Sequence, residues 1–84
     1  MLKLVFLGKL NDVAPASLAD IDPPRDVRTL SDLVQWLSSK EPVLGRAMAA
    51  TTTRLVVNRS VTHDLSLNLA DGDEIAFLPP VSGG

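Results

Sequence analysis

The chain contains no cysteine. That absence excludes disulfides, thiolate nucleophiles, zinc–thiolate and iron–sulfur sites, and any persulfide held on a side chain. It fits a reducing compartment, and the cytoplasm is the expected location. Basic residues are not in excess: eight Lys and Arg stand against ten Asp and Glu, for a formal net charge of −2. Neutralising phosphates needs a cationic surface, so no nucleic acid is expected as a partner. No apolar run is longer than Leu4-Val5-Phe6-Leu7, far short of the ~20 residues that span a bilayer, so no membrane association is expected. The opening Met1-Leu2-Lys3 lacks the basic region and the ~7–15-residue apolar stretch of a signal peptide. There is one histidine, no glycine-rich phosphate loop of the G-x-x-x-x-G-K-[ST] or G-x-G-x-x-G kind, and no internal repeat.

What is present describes a globular chain. It has 84 residues, enough for a single domain over 1–84, and 45% of them are hydrophobic. A chain this short buries only somewhat over ~60% of its unfolded surface, so the core is small. Leu2 to Leu7 reads as a strand stopped by Gly8, with Leu2, Leu4 and Phe6 on one face and Lys3, Val5 and Leu7 on the other. Asn11 to Ala16 reads as a loop, and Ser17 to Asp22 as a second strand ended by Pro23-Pro24. Thr29 is a good N-cap, with Asp32 three residues on, and Leu30, Leu33, Val34 and Leu37 form one apolar helical stripe. Trp36 falls off that stripe and is expected at the core edge. The helix ends before Glu41-Pro42, and Val43 to Ala50 is read as a short helical turn.

Leu55-Val56-Val57 reads as a third strand, Asn58-Arg59-Ser60 as a turn and Val61-Thr62 as a short return. Leu65 to Leu69 alternates but is partly irregular. Asp71-Gly72-Asp73 is a tight turn before the last strand, Glu74 to Leu78. The order β-β-α-β-(β)-β implies an α+β roll, with a mixed four- to five-stranded sheet packed on one main helix. A parallel central pairing of the first and last strands would explain their apolar character on both faces.

Candidate chemistry outside the C-terminus is sparse. His63 beside Asp64 supplies hydrolase residue types without a G-x-S-x-G motif, so a solvated histidine is the expectation. Asp71, Asp73 and Glu74 lack the twelve-residue spacing of a calcium loop and are expected to be a solvated turn. Arg25 and Arg28 lie among Asp22, Asp26 and Asp32, a pattern expected to form surface ion pairs.

The C-terminus is different. Pro79-Pro80 favours an extended, polyproline-like direction, and Gly83-Gly84 adds two residues without side chains. The six residues 79–84 are expected to form an extended tail that could reach about 20 Å from the sheet. A stiff base with a slender tip suits insertion into another protein's active site.

The string from Asp71 to Gly84, Asp-Gly-Asp-Glu-Ile-Ala-Phe-Leu-Pro-Pro-Val-Ser-Gly-Gly, resembles the end of the MoaD family, the small sulfur-carrying subunit of molybdopterin synthase. The opening Met1 to Leu7 is similar to that family's first strand, and Val57-Asn58 followed by a polar turn and Val61 is similar to its later hairpin. Residues 9–16 and 38–53 carry no such match, and Leu7 and Leu78 stand where many members have Phe. The resemblance implies a β-grasp (ubiquitin-like) roll. It further implies that Gly84 is adenylated at its carboxylate by a separate E1-like (MoeB-like) enzyme using ATP, then converted to a thiocarboxylate with sulfur from a donor protein. The sulfur would pass to a pterin precursor in a channel of the large subunit (MoaE-like), for molybdenum cofactor biosynthesis. The chain itself would bind no cofactor and no metal and would be a non-catalytic subunit of a hetero-oligomer.

An ionised carboxylate is a poor electrophile, which is why such activation is needed. Without a thiol, the sulfur could sit only at Gly84. Val5, Leu7, Ala76 and Leu78 would face outward together, joined by Val61, as an apolar patch beside the tail. The alternative is that the segment Val43 to Ala50 covers this face. The partner-binding residues implied are Leu7, Val61, Leu78, Pro79, Pro80, Val81, Ser82 and Gly83. Other readings stay open: a β-grasp carrier for thiamine, cysteine or tRNA thiolation, a ubiquitin-like modifier attached to lysines, or an interaction domain with an inert Gly-Gly end.

Overall fold

The computed structural model describes residues 1–50 and 53–79. Its element order is β1 (Leu2–Phe6), α1 (Lys9–Val13), a 3₁₀ turn (Ala16–Leu18), β2 (Asp20–Ile21), α2 (Leu30–Lys40), α3 (Pro42–Ala50), β3 (Arg54–Val57), β4 (Ser60–Thr62) and β5 (Glu74–Leu78). The five strands form one mixed sheet in the order β2-β1-β5-β3-β4. β1 and β5 are parallel neighbours at its centre, and β3 pairs antiparallel with β5. This is the β-grasp arrangement expected from the sequence.

The side-chain alternation of each strand decides which face is core. Leu2, Leu4 and Phe6 of β1, Ile75 and Phe77 of β5, and Leu55 and Val57 of β3 all point inward and are buried. They meet Leu30, Leu33 and Leu37 of α2 in one cluster. Phe6 and Phe77 are paired across the parallel ladder. Their rings stack with centroids 4.8 Å apart and planes 8° from parallel, an arrangement that adds to the area they bury. α2 starts at a complete capping box: the Thr29 hydroxyl accepts from the Asp32 N–H at 3.2 Å, and the Asp32 carboxylate accepts from the Thr29 N–H at 3.1 Å. Trp36 is partly buried against the core, with the Lys40 ammonium 5.8 Å from its ring centre.

Three segments differ from expectation. Residues 9–13 form a helical turn, α1, that takes in the first half of the Asn11 to Ala16 segment expected to be loop, and it swings Leu10 into the core. Ser17 to Asp22 is mostly not strand. Leu18 and Ile21 are both buried, yet their spacing of three would put them on opposite faces of a strand. A 3₁₀ turn at 16–18 resolves the conflict and leaves only Asp20–Ile21 in the sheet. Val43 to Ala50 belongs to a nine-residue helix, α3. It buries Leu44 and Met48 and packs on α2 so closely that a Cβ at Gly45 would lie 2.8 Å from the Ser38 Cα.

The β3–β4 hairpin closes through Asn58 at φ +49 and Arg59 at φ +71. Both central residues of a two-residue type I′ turn need positive φ, and asparagine tolerates it best after glycine. Leu65 to Leu69 is not a strand. A single antiparallel bridge, Thr29↔Asn68, ties it to the start of α2.

Candidate functional site

Because β1 and β5 run parallel, their C-terminal ends emerge at the same pole of the sheet. The Leu7 N–H donates to the Phe77 carbonyl at 3.1 Å, which carries the pairing one residue past β1. Pro79 has no N–H and cannot continue a ladder. Its ring rests on Gly8 instead: a Cβ at Gly8 would lie 2.9 Å from the Pro79 Cγ. Gly8 itself adopts φ 60, ψ −136, a region that residues with a Cβ avoid. The root of the C-terminal segment is therefore held by strand pairing on one side and by a bare backbone on the other.

The outer face of the sheet carries the second feature. Register places Val5 opposite Ala76, Ala76 opposite Val56, and Val56 opposite Val61. These four side chains form one apolar row across four strands. Leu7 and Leu78 lie one step nearer the pole, where Leu78 pairs with Arg54. Leu7 is 42% exposed and Val61 59% exposed. Val5, Val56, Ala76, Leu78 and Pro79 are half-buried. α3 packs against α2 and α1 rather than over this face. The structure thus brings Leu7, Leu78 and Pro79 together at the pole, with Val61 at the far end of the row. Pro80, Val81, Ser82, Gly83 and Gly84 lie outside the described residues, so the tail expected over 79–84 is described only at its first residue.

Carboxylates dominate the opposite pole and are engaged in holding β5 in place. The Asp73 carboxylate accepts from the Ala70 N–H at 2.8 Å and from Asn58 Nδ2 at 2.9 Å. Asn58 Oδ1 accepts from the Glu74 N–H at 3.0 Å, while the Asn58 N–H donates to the Glu74 carbonyl at 2.8 Å. Asp71 pairs with the Met1 amino group, and Glu74 stands 3.8 Å from Lys3. Gly72 takes φ +88 between them. This turn is solvent-exposed, as expected, and it also braces the start of β5. Among the described residues, no cluster of His, Asp or Glu could hold a metal ion.

The expected Arg25 and Arg28 ion-pair cluster does not form among the described residues. Asp22 pairs with the Met1 amino group at 3.1 Å. Asp32 takes the backbone N–H of Arg28 at 3.1 Å instead of its guanidinium. That bond and the one from the Thr29 N–H are the main causes holding the Asp32 carboxyl below its ordinary value. His63 and Asp64 do not form a catalytic dyad. The Ser66 hydroxyl and N–H both donate to the Asp64 carboxylate, and they lower its pKa in that order of weight.

Sequence reading missed two residues here. Val56 completes the outer row, but Leu55-Val56-Val57 is apolar throughout and shows no alternation. Gly8 was legible only as a strand stop, because its contact is with a residue at the other end of the chain.

Comparison with known proteins agrees with this architecture. Residues 4–84 match the ThiS family. The molybdopterin synthase sulfur carrier subunit of Dictyostelium discoideum is 30% identical over 83 residues, covering 98% of this chain and 94% of that protein. The subunit of the same name from Escherichia coli is 26% identical over 84 residues, with both chains fully covered. Among solved structures, small archaeal modifier protein 1 from Haloferax volcanii superposes with a TM-score of 0.73 at 24% identity, over 99% of this chain and 98% of that one. The protein of the same name from Methanosarcina acetivorans gives 0.74 at 22% identity, over 99% and 95%. At those identities the two structures speak to the fold alone. Among the described residues, no helix is long and apolar enough to cross a membrane. Full-length sequence similarity and the β-grasp fold together place the chain in the ThiS family, as a ubiquitin-like sulfur carrier of the MoaD type.

Proposed function

We propose that this chain is the sulfur-donating small subunit of a molybdopterin synthase, and that Gly84 is the residue that carries the sulfur. The observation that carries the reading is the pole just described. The central strand β5 leads into Pro79 beside an exposed apolar face, and the sequence then continues Pro80-Val81-Ser82-Gly83-Gly84. A terminus leaving from there can enter a narrow channel while the face beside it binds the channel's owner.

The chemistry follows from the carboxylate. It is ionised at neutral pH and resists nucleophiles. An E1-like (MoeB-like) partner supplies ATP: a Gly84 carboxylate oxygen attacks the α-phosphorus, pyrophosphate leaves, and an acyl-AMP forms. The outer sulfur of a donor protein's persulfide then attacks the acyl carbon and AMP departs with that oxygen; a second thiol outside this chain attacks the donor sulfur of the resulting acyl disulfide, forming a disulfide with the donor and releasing the thiocarboxylate. On the large subunit (MoaE-like), the thiocarboxylate sulfur displaces an oxygen substituent from a carbon of the pterin precursor, and water cleaves the acyl–sulfur bond of the resulting thioester, leaving the sulfur on the pterin and returning the terminal carboxylate. Glycine at both final positions keeps side chains out of the path. Leu7, Val61 and Leu78 form the docking face, and residues 79–83 thread the channel. The chain binds no cofactor and catalyses no step by itself.

The test is intact mass after incubation with ATP, the adenylating enzyme and a sulfur donor. The expected result is the gain of one sulfur for one oxygen. The loaded protein is then mixed with pterin precursor, with and without the large subunit. Dithiolene formation that needs the large subunit supports the reading. Efficient formation by the small protein alone overturns the non-catalytic assignment. A lysine-linked adduct of higher mass, with no sulfur gain, would make the chain a protein modifier instead.

A further inference from the structure

We infer that Gly8 is a positioning residue for the C-terminal segment: its bare Cα is the seat on which the Pro79 ring rests, and this seat sets the direction in which the chain leaves the sheet. The inference rests on the sulfur-carrier reading for its functional consequence, but not for the contact itself.

Three observations meet at this point. First, β5 loses its backbone donor at Pro79, since proline has no N–H. The last backbone bond that the β1 side gives it is Leu7 N–H to Phe77 carbonyl at 3.1 Å. At Pro79, packing takes the place of an N–H bond to β1. Second, that packing is supplied by Gly8. A Cβ there would sit 2.9 Å from the Pro79 Cγ and 3.6 Å from its Cδ. The first distance is closer than carbon atoms tolerate, so any side chain at position 8 must lift the ring. Third, the backbone of Gly8 is fixed. Its φ 60, ψ −136 opens the turn in which the Leu10 N–H donates to the Leu7 carbonyl at 3.3 Å and the Asn11 N–H to the Gly8 carbonyl at 3.1 Å. Leu10, buried by that turn, anchors it to the core. The seat is therefore held by the core on one side and meets the tail root on the other.

A small tilt at the root matters at the tip. The five residues after Pro79 extend at most about 17 Å, so a displacement at the ring is multiplied along a stiff start. Reacting groups misplaced by ~1 Å can lose about a hundredfold in rate. Gly8 lies at the pole and not in the apolar row, so its loss should spoil delivery of the terminus more than docking of the globule.

The experiment compares wild type, Gly8→Ala, Pro79→Ala and the double variant. Thermal melting and amide spectra establish folding. The main readout is the steady-state rate of Gly84 activation by the adenylating enzyme, separated into kcat and KM. Gly8→Ala is expected to lower kcat about tenfold with KM within about twofold, as a misplaced reactant would. In the Pro79→Ala background, which removes the Cγ that would clash, the same change should cost less than about threefold. Pro79→Ala alone leaves the Gly8 backbone untouched, so it still decides the matter if Gly8→Ala does not fold, and it should also lower kcat. Unchanged kcat in Pro79→Ala, or an equal Gly8→Ala loss in both backgrounds, overturns the inference. A wild-type protein without an NOE between Gly8 Hα and Pro79 Hγ also overturns it, whatever the activity. If wild type accepts no sulfur at all, the sulfur-carrier reading fails, and that NOE alone decides whether the seat exists.

Discussion

Asn58 is the residue whose removal tests the structural argument most directly. It sits at φ +49 in the β3–β4 turn, and its amide reaches across to the start of β5. Nδ2 donates to Asp73 at 2.9 Å, and Oδ1 accepts from the Glu74 N–H at 3.0 Å. Replacement by alanine removes both bonds. Each is exposed, so the lower end of the usual range applies, ~0.5 kcal/mol apiece. Alanine also tolerates the left-handed conformation less well than asparagine, at a cost of ~1 kcal/mol. The sum is ~2 kcal/mol, which lowers the melting temperature of a domain this size by roughly 8–16 °C. Glycine loses the same two bonds but escapes the steric penalty, in exchange for some backbone entropy, so Asn58→Gly should cost about 1–1.5 kcal/mol.

Aspartate separates the two bonds. Asn58→Asp keeps an oxygen for the Glu74 N–H but turns the Nδ2 donor toward Asp73 into a second carboxylate. Two carboxylates that close repel, and the pair holds a proton more tightly folded than unfolded. The destabilisation should therefore grow as pH rises through about 4 and persist at neutrality. The assay is urea or thermal unfolding of the three variants at pH 3 and pH 7. An alanine variant within about 0.5 kcal/mol of wild type, or an aspartate variant with no pH dependence, would refute the account of Asn58 as a clasp.

Arg59 occupies the other left-handed position of the same turn, at φ +71, so Arg59→Gly should raise stability by about 0.5–1 kcal/mol in the same unfolding assay. Asp32 has its carboxyl held below the ordinary value by the backbone N–H groups of Arg28 and Thr29. Its contribution is present above the unfolded carboxylate range and lost as pH falls through the folded value, so Asp32→Asn should flatten the acid side of a melting-temperature profile. Val61 is 59% exposed, so Val61→Asp should leave melting within about 0.5 kcal/mol while weakening binding to the large subunit at least about tenfold, read by calorimetry. Deleting Gly84 should leave melting unchanged and abolish the sulfur-for-oxygen mass gain. A truncated chain that still supports cofactor synthesis would remove Gly84 from the mechanism.

Where a residue's environment is set by its near neighbours in sequence, the amino-acid pattern was enough to read it. α2 is such a case, since its cap and its stripe lie within a few residues of one another. β1 and β5 are others, because alternation alone separates Phe6 and Phe77 from Leu7 and Leu78. The same alternation assembled Val5, Leu7, Ala76, Leu78 and Val61 on the outer face. The misreadings fall where burial is imposed from a distance. Nothing local in Lys9-Leu10-Asn11-Asp12-Val13 favours a helix, and the turn exists because the core needs Leu10. Leu18 and Ile21 imitate a strand until the requirement that both be inside rules it out. Gly8 belongs with these, since its contact with Pro79 cannot be read from either end of the chain alone.

The position of β5 bears on the carrier role in one more way. Terminal segments usually fray, because the last element of a chain often lies at an edge. Here the last strand is central. It pairs with β1 on one side and β3 on the other, and it places Ile75 and Phe77 at 0% exposure. A load on the chain beyond Leu78 falls on two ladders and the stacked Phe6–Phe77 pair at once rather than on an edge strand. Both ladders are closed by residues far apart in sequence, β1 from the start of the chain and β3 across the loop that Asn58 and Asp73 clasp. An acidic turn at one pole thus bears on Pro79 at the other. It fixes the start of β5, and strand pairing carries that constraint to the residue where Pro79 meets Gly8.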